Sequence, residues 1–131
     1  MAGASNIRVV LSSLEVFTEN IIKKMALDMV ANLRKPGSEG GTPVDTGWAR
    51  ANWLTQVGSP ATGTVGSRES VNDTAAQARV AGLASYKLSA GPVFITNNVD
   101  YILSLNDGTS NQAPSGFVQA AITAAVARTA A

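Results

Sequence analysis

The stretch that decides the fold is SSLEVFTENIIKKMALDMVANLRKPG, residues 12–37. Its larger apolar side chains recur at intervals of three or four residues, which is the spacing of one face of an α-helix. They are Leu14, Phe17, Ile21, Met25, Met29 and Leu33. Ser12 and Glu15 have the spacing of a capping box, and the proline–glycine pair after Lys35 stops a helix. We therefore predict a helix from Ser12 to Lys35. Its stripe is expected to pack on the core, the alternative being an amphipathic helix that binds a partner.

The rest of the chain predicts shorter elements around this helix. Residues Ala49–Val57 alternate between apolar and polar and predict a half-buried strand, and the short apolar run Val93–Ile95 predicts a second strand. A short helix is expected over Ala75–Leu83, and Tyr101–Leu105 fits a helix or a strand. Ser115 can cap a final helix that runs to about Arg128. The predicted fold is α+β: a single domain, residues 1–131, in which a long N-terminal helix and an alanine-rich C-terminal helix pack on a small, mostly antiparallel sheet.

Two segments carry few large apolar residues and are expected to lie outside the core. Residues 1–6 read as a flexible N-terminal tail. Gly58–Asp73 is rich in Gly, Ser, Thr and Asn, and predicts a flexible polar arm or an irregular hairpin. Both segments are candidates for contacts with a neighbouring subunit.

Composition excludes several classes of function. Cysteine and histidine are both absent, which removes disulfides, thiol nucleophiles, His-containing zinc sites and the usual general base near pH 7. The net charge is +1 without a basic cluster, so strong nucleic-acid binding is not expected. No apolar stretch has the length of a membrane span, and the N-terminus lacks the order of a signal peptide. We expect a soluble protein that is not an enzyme and has no cofactor or metal. A metal-dependent hydrolase that uses Asp45, Asp100 or Asp107 is the competing hypothesis.

The apolar residues are small on average. The chain has 21 alanines and only seven aromatic residues. Because hydrophobic stabilisation scales with buried area, at roughly 25 cal/mol per Å², such a chain builds a thin core. This composition favours a subunit that gains stability from neighbouring copies.

Two segments together resemble a known family. They are TPVDTGWARANW at Thr42–Trp53 and VFITNNVDYILSLNDGTSNQAPSGFVQAAI at Val93–Ile122. In this order, after an amphipathic helix, they resemble the neck and tail-completion proteins of tailed bacteriophages, the family that includes the minor tail protein Z group. The matching residues are Pro43, Val44, Asp45, Thr46, Gly47, Arg50, Asn97, Asn98, Tyr101, Leu105, Gly108, Ala113, Pro114 and Gly116. Asn106 departs from the family, which often has Glu at this position.

The resemblance implies a structural role in the virion. Such proteins form a ring at the junction of head and tail, and DNA passes through the lumen without sequence-specific binding. It further implies neighbours in the portal-side connector and in the tail or tail-terminator proteins, with no membrane involved and with synthesis in the cytoplasm of the host bacterium. Six-fold symmetry is expected, and twelve-fold symmetry is the next candidate. A small adaptor or assembly factor that binds another protein is the alternative function.

The motif residues themselves favour structural roles. Asp45, Thr46 and Gly47 have the chemistry of a turn, and Arg50 is expected to be solvated or bonded to a carbonyl, with a contact between subunits as the alternative. Trp48 and Trp53 are expected to be anchors of the core or of an interface. The remaining candidates lie in the second segment. Asn97 and Asn98 are expected to hold loop backbones, Tyr101 and Gly108 belong to the motif, and Pro114 with Gly116 sets the entry to the last helix.

Overall fold

The first helix, α1 (Ala2–Arg34), is the longest element of the fold. In this computed structural model, which describes residues 2–43, 47–108 and 115–130, α1 spans 33 residues, or about 50 Å at 1.5 Å per residue. It ends one residue before the predicted end at Lys35. The predicted start at Ser12 is wrong, because no proline or turn sequence separates Ser12 from the residues before it. Residues 2–6, predicted as a tail, lie within α1.

The sheet has two antiparallel strands, β1 (Leu54–Val57) and β2 (Val93–Thr96). Leu54 pairs with Thr96 and Val57 with Val93. Strand β2 lies where the sequence predicts it. The first strand is shorter than the predicted Ala49–Val57, because residues Arg50–Asn52 form a 3-10 turn. The predicted α+β class, with helices around a small antiparallel sheet, is confirmed.

Three further helices lie in the described part of the chain. Helix α2 (Thr74–Ala81) continues into a 3-10 turn at Gly82–Ser85, and another 3-10 turn lies at Leu88–Ala90. The segment Tyr101–Leu105, for which the sequence allowed a helix or a strand, lies mostly in the short helix α3 (Ile102–Asn106). The alanine-rich helix α4 (Phe117–Ala130) is the last. No helix in the described ranges has the length and hydropathy needed to cross a membrane.

Helix α4 packs antiparallel along the C-terminal part of α1. The Asn32 side-chain amide donates to the carbonyl of Ala121 at 3.1 Å, and Lys24 Nζ donates to the carbonyl of Arg128 at 3.4 Å. Ala121 and Ala125 are buried between the helices. Because alanine side chains are short, they let the two helices approach closely, and this close approach occurs within one domain.

The core is divided into small clusters. Leu33, Trp53, Phe117 and Ala121 form the first cluster, beneath α1 and α4. Ala26, Leu83 and Tyr86 form the second, against the sheet. Leu54, Ala61 and Ala76 form the third. Alanine is present in each cluster, which agrees with the thin core expected from composition.

Candidate functional site

The two motif segments meet in the structure. Asn97 Nδ2 donates to the carbonyl of Ala49 at 2.8 Å, which ties the end of β2 to the turn before β1. The rings of Trp48 and Tyr101 lie 6.0 Å apart at an angle of 55°. Asp45, Thr46 and Pro114 lie outside the described residues. The two segments that carry the resemblance are therefore neighbours in space, although about fifty positions separate them.

The loop between Gly58 and Asp73 takes part in the same cluster. Trp48 Nε1 donates to the carbonyl of Val65 at 3.1 Å, and the Arg68 guanidinium lies 4.7 Å from the centre of the Tyr101 ring. A cation over an aromatic ring is attracted by the electron density of its face. These contacts hold a part of the loop against its own domain.

Asn98 anchors the beginning of the loop. Its side-chain amide donates to the carbonyls of Ala61 and Gly63, at 2.8 and 3.0 Å. Asn97 Oδ1 accepts from the backbone N–H of Val99 at 3.1 Å. The two asparagines hold loop backbones as predicted. Ala61 is buried in the cluster around Leu54, so residues 61–65 cover part of the core and do not project as an arm.

Asn52 is a residue that the sequence analysis missed. It is fully buried, and its Nδ2 donates to the carbonyls of Trp48 and Val65 at 2.8 and 3.1 Å. Its Oδ1 accepts from the backbone N–H of Val65 at 2.7 Å. A polar side chain within an apparent half-buried strand was the available signal, because a buried amide needs partners for all its polar atoms.

Arg50 and Trp53 satisfy the C-terminal end of α1. Arg50 Nε donates to the carbonyl of Arg34, which agrees with the expected bond to a carbonyl. Trp53 Nε1 donates to Thr42 Oγ1 at 2.7 Å, and Thr42 in turn donates from Oγ1 and from its backbone N–H to the carbonyl of Leu33 at 2.6 and 3.0 Å. The last carbonyls of a helix lack partners within the helix. These residues supply partners for two of them.

Asn106 and Gly116 form the entry to α4, and Gly108, with a φ of +93°, lies close to Ser115 just before it. Gly116 has a φ of +82°, a value that favours glycine, and its N–H donates to the carbonyl of Asn106 at 2.7 Å. Asn106 Oδ1 accepts from the N–H of Val118 at 3.0 Å. Asn106 therefore caps α4, a role predicted for Ser115. The residue that departs from the family pattern has a defined function in this chain.

Most described motif residues thus hold segments of the fold together. In the part of the chain that the structure describes, no group of three or more acidic side chains lies close enough to hold a metal ion. Asp45, a member of the hydrolase hypothesis, lies outside that part. The motif residues are best understood as structural connections.

Among the described residues, exposed large apolar side chains are concentrated on the first half of α1. We define the free segment of α1 as residues 8–17; its larger exposed side chains are Val10, Leu11, Leu14, Val16 and Phe17. Val10 is 58% exposed and Phe17 is 63% exposed. The first anchored position after the segment is Glu19, whose Oε1 accepts from the N–H of Leu88 at 2.8 Å. The predicted core stripe therefore packs on the domain only through its C-terminal half.

An apolar groove lies further along the same helix. Its volume is about 160 Å³. It is lined by Ile22, Met25, Ala26 and Met29 of α1 and by Val93 and Ile95 of β2. The groove and the free segment are two separate apolar features along α1.

Comparisons with protein-family models, curated proteins and solved structures found no match.

Proposed function

We propose that this protein is a structural subunit of a tailed-bacteriophage virion, which forms a ring at the neck or head–tail junction and lets DNA pass through the lumen. The free segment of α1 is the observation that carries the proposal. The motif resemblance supports the place in the virion, and the free segment supports assembly. Contiguous exposed apolar surface on a protein is typical of an interaction site.

The free segment leaves a substantial hydrophobic contribution unused. Burying a large apolar side chain fully stabilises a protein by about 1.5–3 kcal/mol. Covering five side chains that are now about half exposed would contribute on the order of 4–7 kcal/mol. Association itself costs about 4–15 kcal/mol in lost translational and rotational freedom. The segment is therefore strong enough to contribute to an interface, and a stable interface also needs a complementary patch on the partner.

The polar residues of the free segment fit this role. Within residues 8–17 the charged side chains are Arg8 and Glu15, one of each sign. Interfaces bury apolar residues at their centre and keep charges at the rim.

Passage of DNA needs a lumen and no site of sequence recognition, which agrees with a net charge of +1 for the whole chain.

The direct experiment is to locate the protein in assembled particles and to count its copies. The full chain is purified and examined by native mass spectrometry, and particles from the corresponding phage are examined by electron microscopy with a tag on this chain. We expect closed rings of identical subunits, six or twelve, at the junction of head and tail. A protein absent from particles that binds a different protein in solution would contradict the proposal and favour the adaptor alternative.

A further inference from the structure

We infer that the free segment of α1 docks in the apolar groove of a second copy of this chain, with the Phe17 ring inserted between α1 and β2 of that copy. This inference rests on the proposed function in one respect, namely that copies of the chain meet head to tail. Beyond the proposed function, the inference specifies the two surfaces that meet, namely the free segment of one copy and the groove of the next. Such a contact is heterologous, because two different patches of one subunit are joined.

The dimensions of the two features match. The groove has a volume of about 160 Å³ and an apolar lining. An apolar cavity of about 150 Å³ is known to hold one benzene molecule. Phe17 is the most exposed of the large apolar side chains of the free segment, and it presents one aromatic ring. One phenyl ring therefore has the size and the polarity that the groove accepts.

Phe17 cannot reach the groove of its own chain. Both belong to α1, and Phe17 precedes Ile22, the first groove residue, by five positions, or about 7.5 Å along the helix axis at 1.5 Å per residue. A side chain cannot fold back onto its own helix over this distance while the helix stays intact. Burial of the ring in such a groove therefore requires a second molecule.

A second copy is the occupant that covers both features at once. The described part of each chain carries both the free segment and the groove, so each head-to-tail contact buries one of each. A repeated contact of this kind leaves no copy with an uncovered segment when the rotation closes into a ring. Around Phe17, Val10 and Leu14 lie on the same side of the helix, at spacings of seven and three residues, and widen the buried area.

Leu103 provides the comparison. It is 75% exposed on α3, more than Phe17, so exposure alone would select it. Its neighbours Ile102 and Leu105 instead pack against the cluster that contains Phe117. Leu103 is thus an isolated apolar side chain, which is common on protein surfaces. It serves as a matched control.

Site-specific cross-linking tests the contact, because the chain has no cysteine of its own. Ser13, exposed one turn before Phe17, is changed in one preparation (S13C), and Met25 in the groove is changed in another (M25C). One preparation carries an affinity tag, and the mixture is treated with a short thiol-specific bifunctional reagent. We expect a tagged–untagged dimer from S13C with M25C. We expect no dimer from S38C with M25C. Ser38 is exposed in the turn that follows the C-terminal end of α1, far from the free segment.

Changes at the two exposed apolar residues then separate docking from general stickiness. Adding F17A to S13C should abolish the dimer with M25C, whereas adding L103A should leave its yield unchanged. A dimer formed by S13C alone would overturn the inference in favour of a symmetric pair of helices. Absence of the S13C–M25C product both in solution and in assembled particles would also overturn it.

A chain that carries both S13C and M25C gives a further readout. Head-to-tail contact predicts a ladder of cross-linked species that ends at the closed ring, whereas a symmetric pair stops at the dimer. If the ladder forms but the protein is absent from virions, the docking inference stands and the proposed function fails. If the protein lies in the virion but no cross-link forms there, the proposed function stands and the docking inference fails.

Discussion

Replacement of Asn52 by alanine tests whether one buried amide holds the loop to the domain. The amide makes three hydrogen bonds, two to backbone atoms of Val65 and one to the carbonyl of Trp48. In Asn52→Ala the Val65 N–H loses its bond to the amide oxygen and the Trp48 carbonyl loses one donor, while the Val65 carbonyl keeps the bond from the Trp48 indole. The loss of the acceptor for one buried N–H costs about 1–3 kcal/mol. We therefore expect the free energy of unfolding to fall by about 1–3 kcal/mol.

Urea unfolding monitored by tryptophan fluorescence measures this change, with all variants at one protein concentration because assembly shifts apparent stability. Asn20→Ala is the matched control, since Asn20 is exposed on α1, and it should change the free energy of unfolding by less than about 0.5 kcal/mol. Trypsin provides a second readout. Cleavage after Arg68 should be faster in Asn52→Ala than in the native chain, because the loop then opens more often. An unchanged urea midpoint together with unchanged cleavage at Arg68 would refute the role of Asn52.

Three further substitutions test the connections described above. Thr42→Val keeps the shape of the side chain but removes the hydroxyl that accepts a hydrogen bond from the Trp53 indole. It should lower the free energy of unfolding by about 1–3 kcal/mol. A loss below about 0.5 kcal/mol in urea unfolding would contradict this role of Thr42. Asn106→Ala should lower the free energy of unfolding by about 1 kcal/mol, because α4 loses its cap. Asn106→Asp should retain most of that free energy, since a carboxylate still accepts the hydrogen bond from the Val118 N–H. Equal losses for the two variants would exclude capping by Asn106. Ala125→Leu should destabilise the α1–α4 contact by about 1–3 kcal/mol through overpacking. Its control Ala124→Leu, at an exposed position, should leave the melting temperature nearly unchanged. Similar melting temperatures for the two variants would contradict the packing described.

The local elements follow from local patterns. The spacing of apolar residues predicts α1, and the proline–glycine pair after Lys35 predicts its end to within one residue. The run Val93–Ile95 predicts β2. The predicted start of α1 at Ser12 was wrong, because Ser12 and Glu15 have capping-box spacing inside an uninterrupted helix. Such a motif marks a helix start only where the preceding residues are not themselves helical.

The candidate residues were predicted in part. The two segments that carry the resemblance contain Trp48, Asn97 and Tyr101, which the structure places in one region. The resemblance did not identify Asn52 or Thr42, since their bonds to Val65, Trp53 and Leu33 form only where turns fold the chain back over nine to thirteen residues. Alternation from Ala49 to Val57 also predicted a strand of nine residues, but the side chain of Asn52 binds the Trp48 carbonyl and helps hold a 3-10 turn there. This local bond, together with the bonds of the same amide to Val65, overrode the alternating pattern.

The sequence by itself determined the period of the long helix, the order of the elements and the small size of the core side chains, because each depends on neighbours along the chain. Only the tertiary structure decided which half of the apolar stripe is covered. Near Lys24 the antiparallel helix α4 approaches its C-terminal end, at the carbonyl of Arg128, whereas Leu14 and Phe17 lie further toward the start of α1 and stay exposed. The same spacing of apolar residues thus serves as core in one half and as exposed surface in the other. The difference arises because burial depends on the reach of a distant segment, which helical periodicity does not encode.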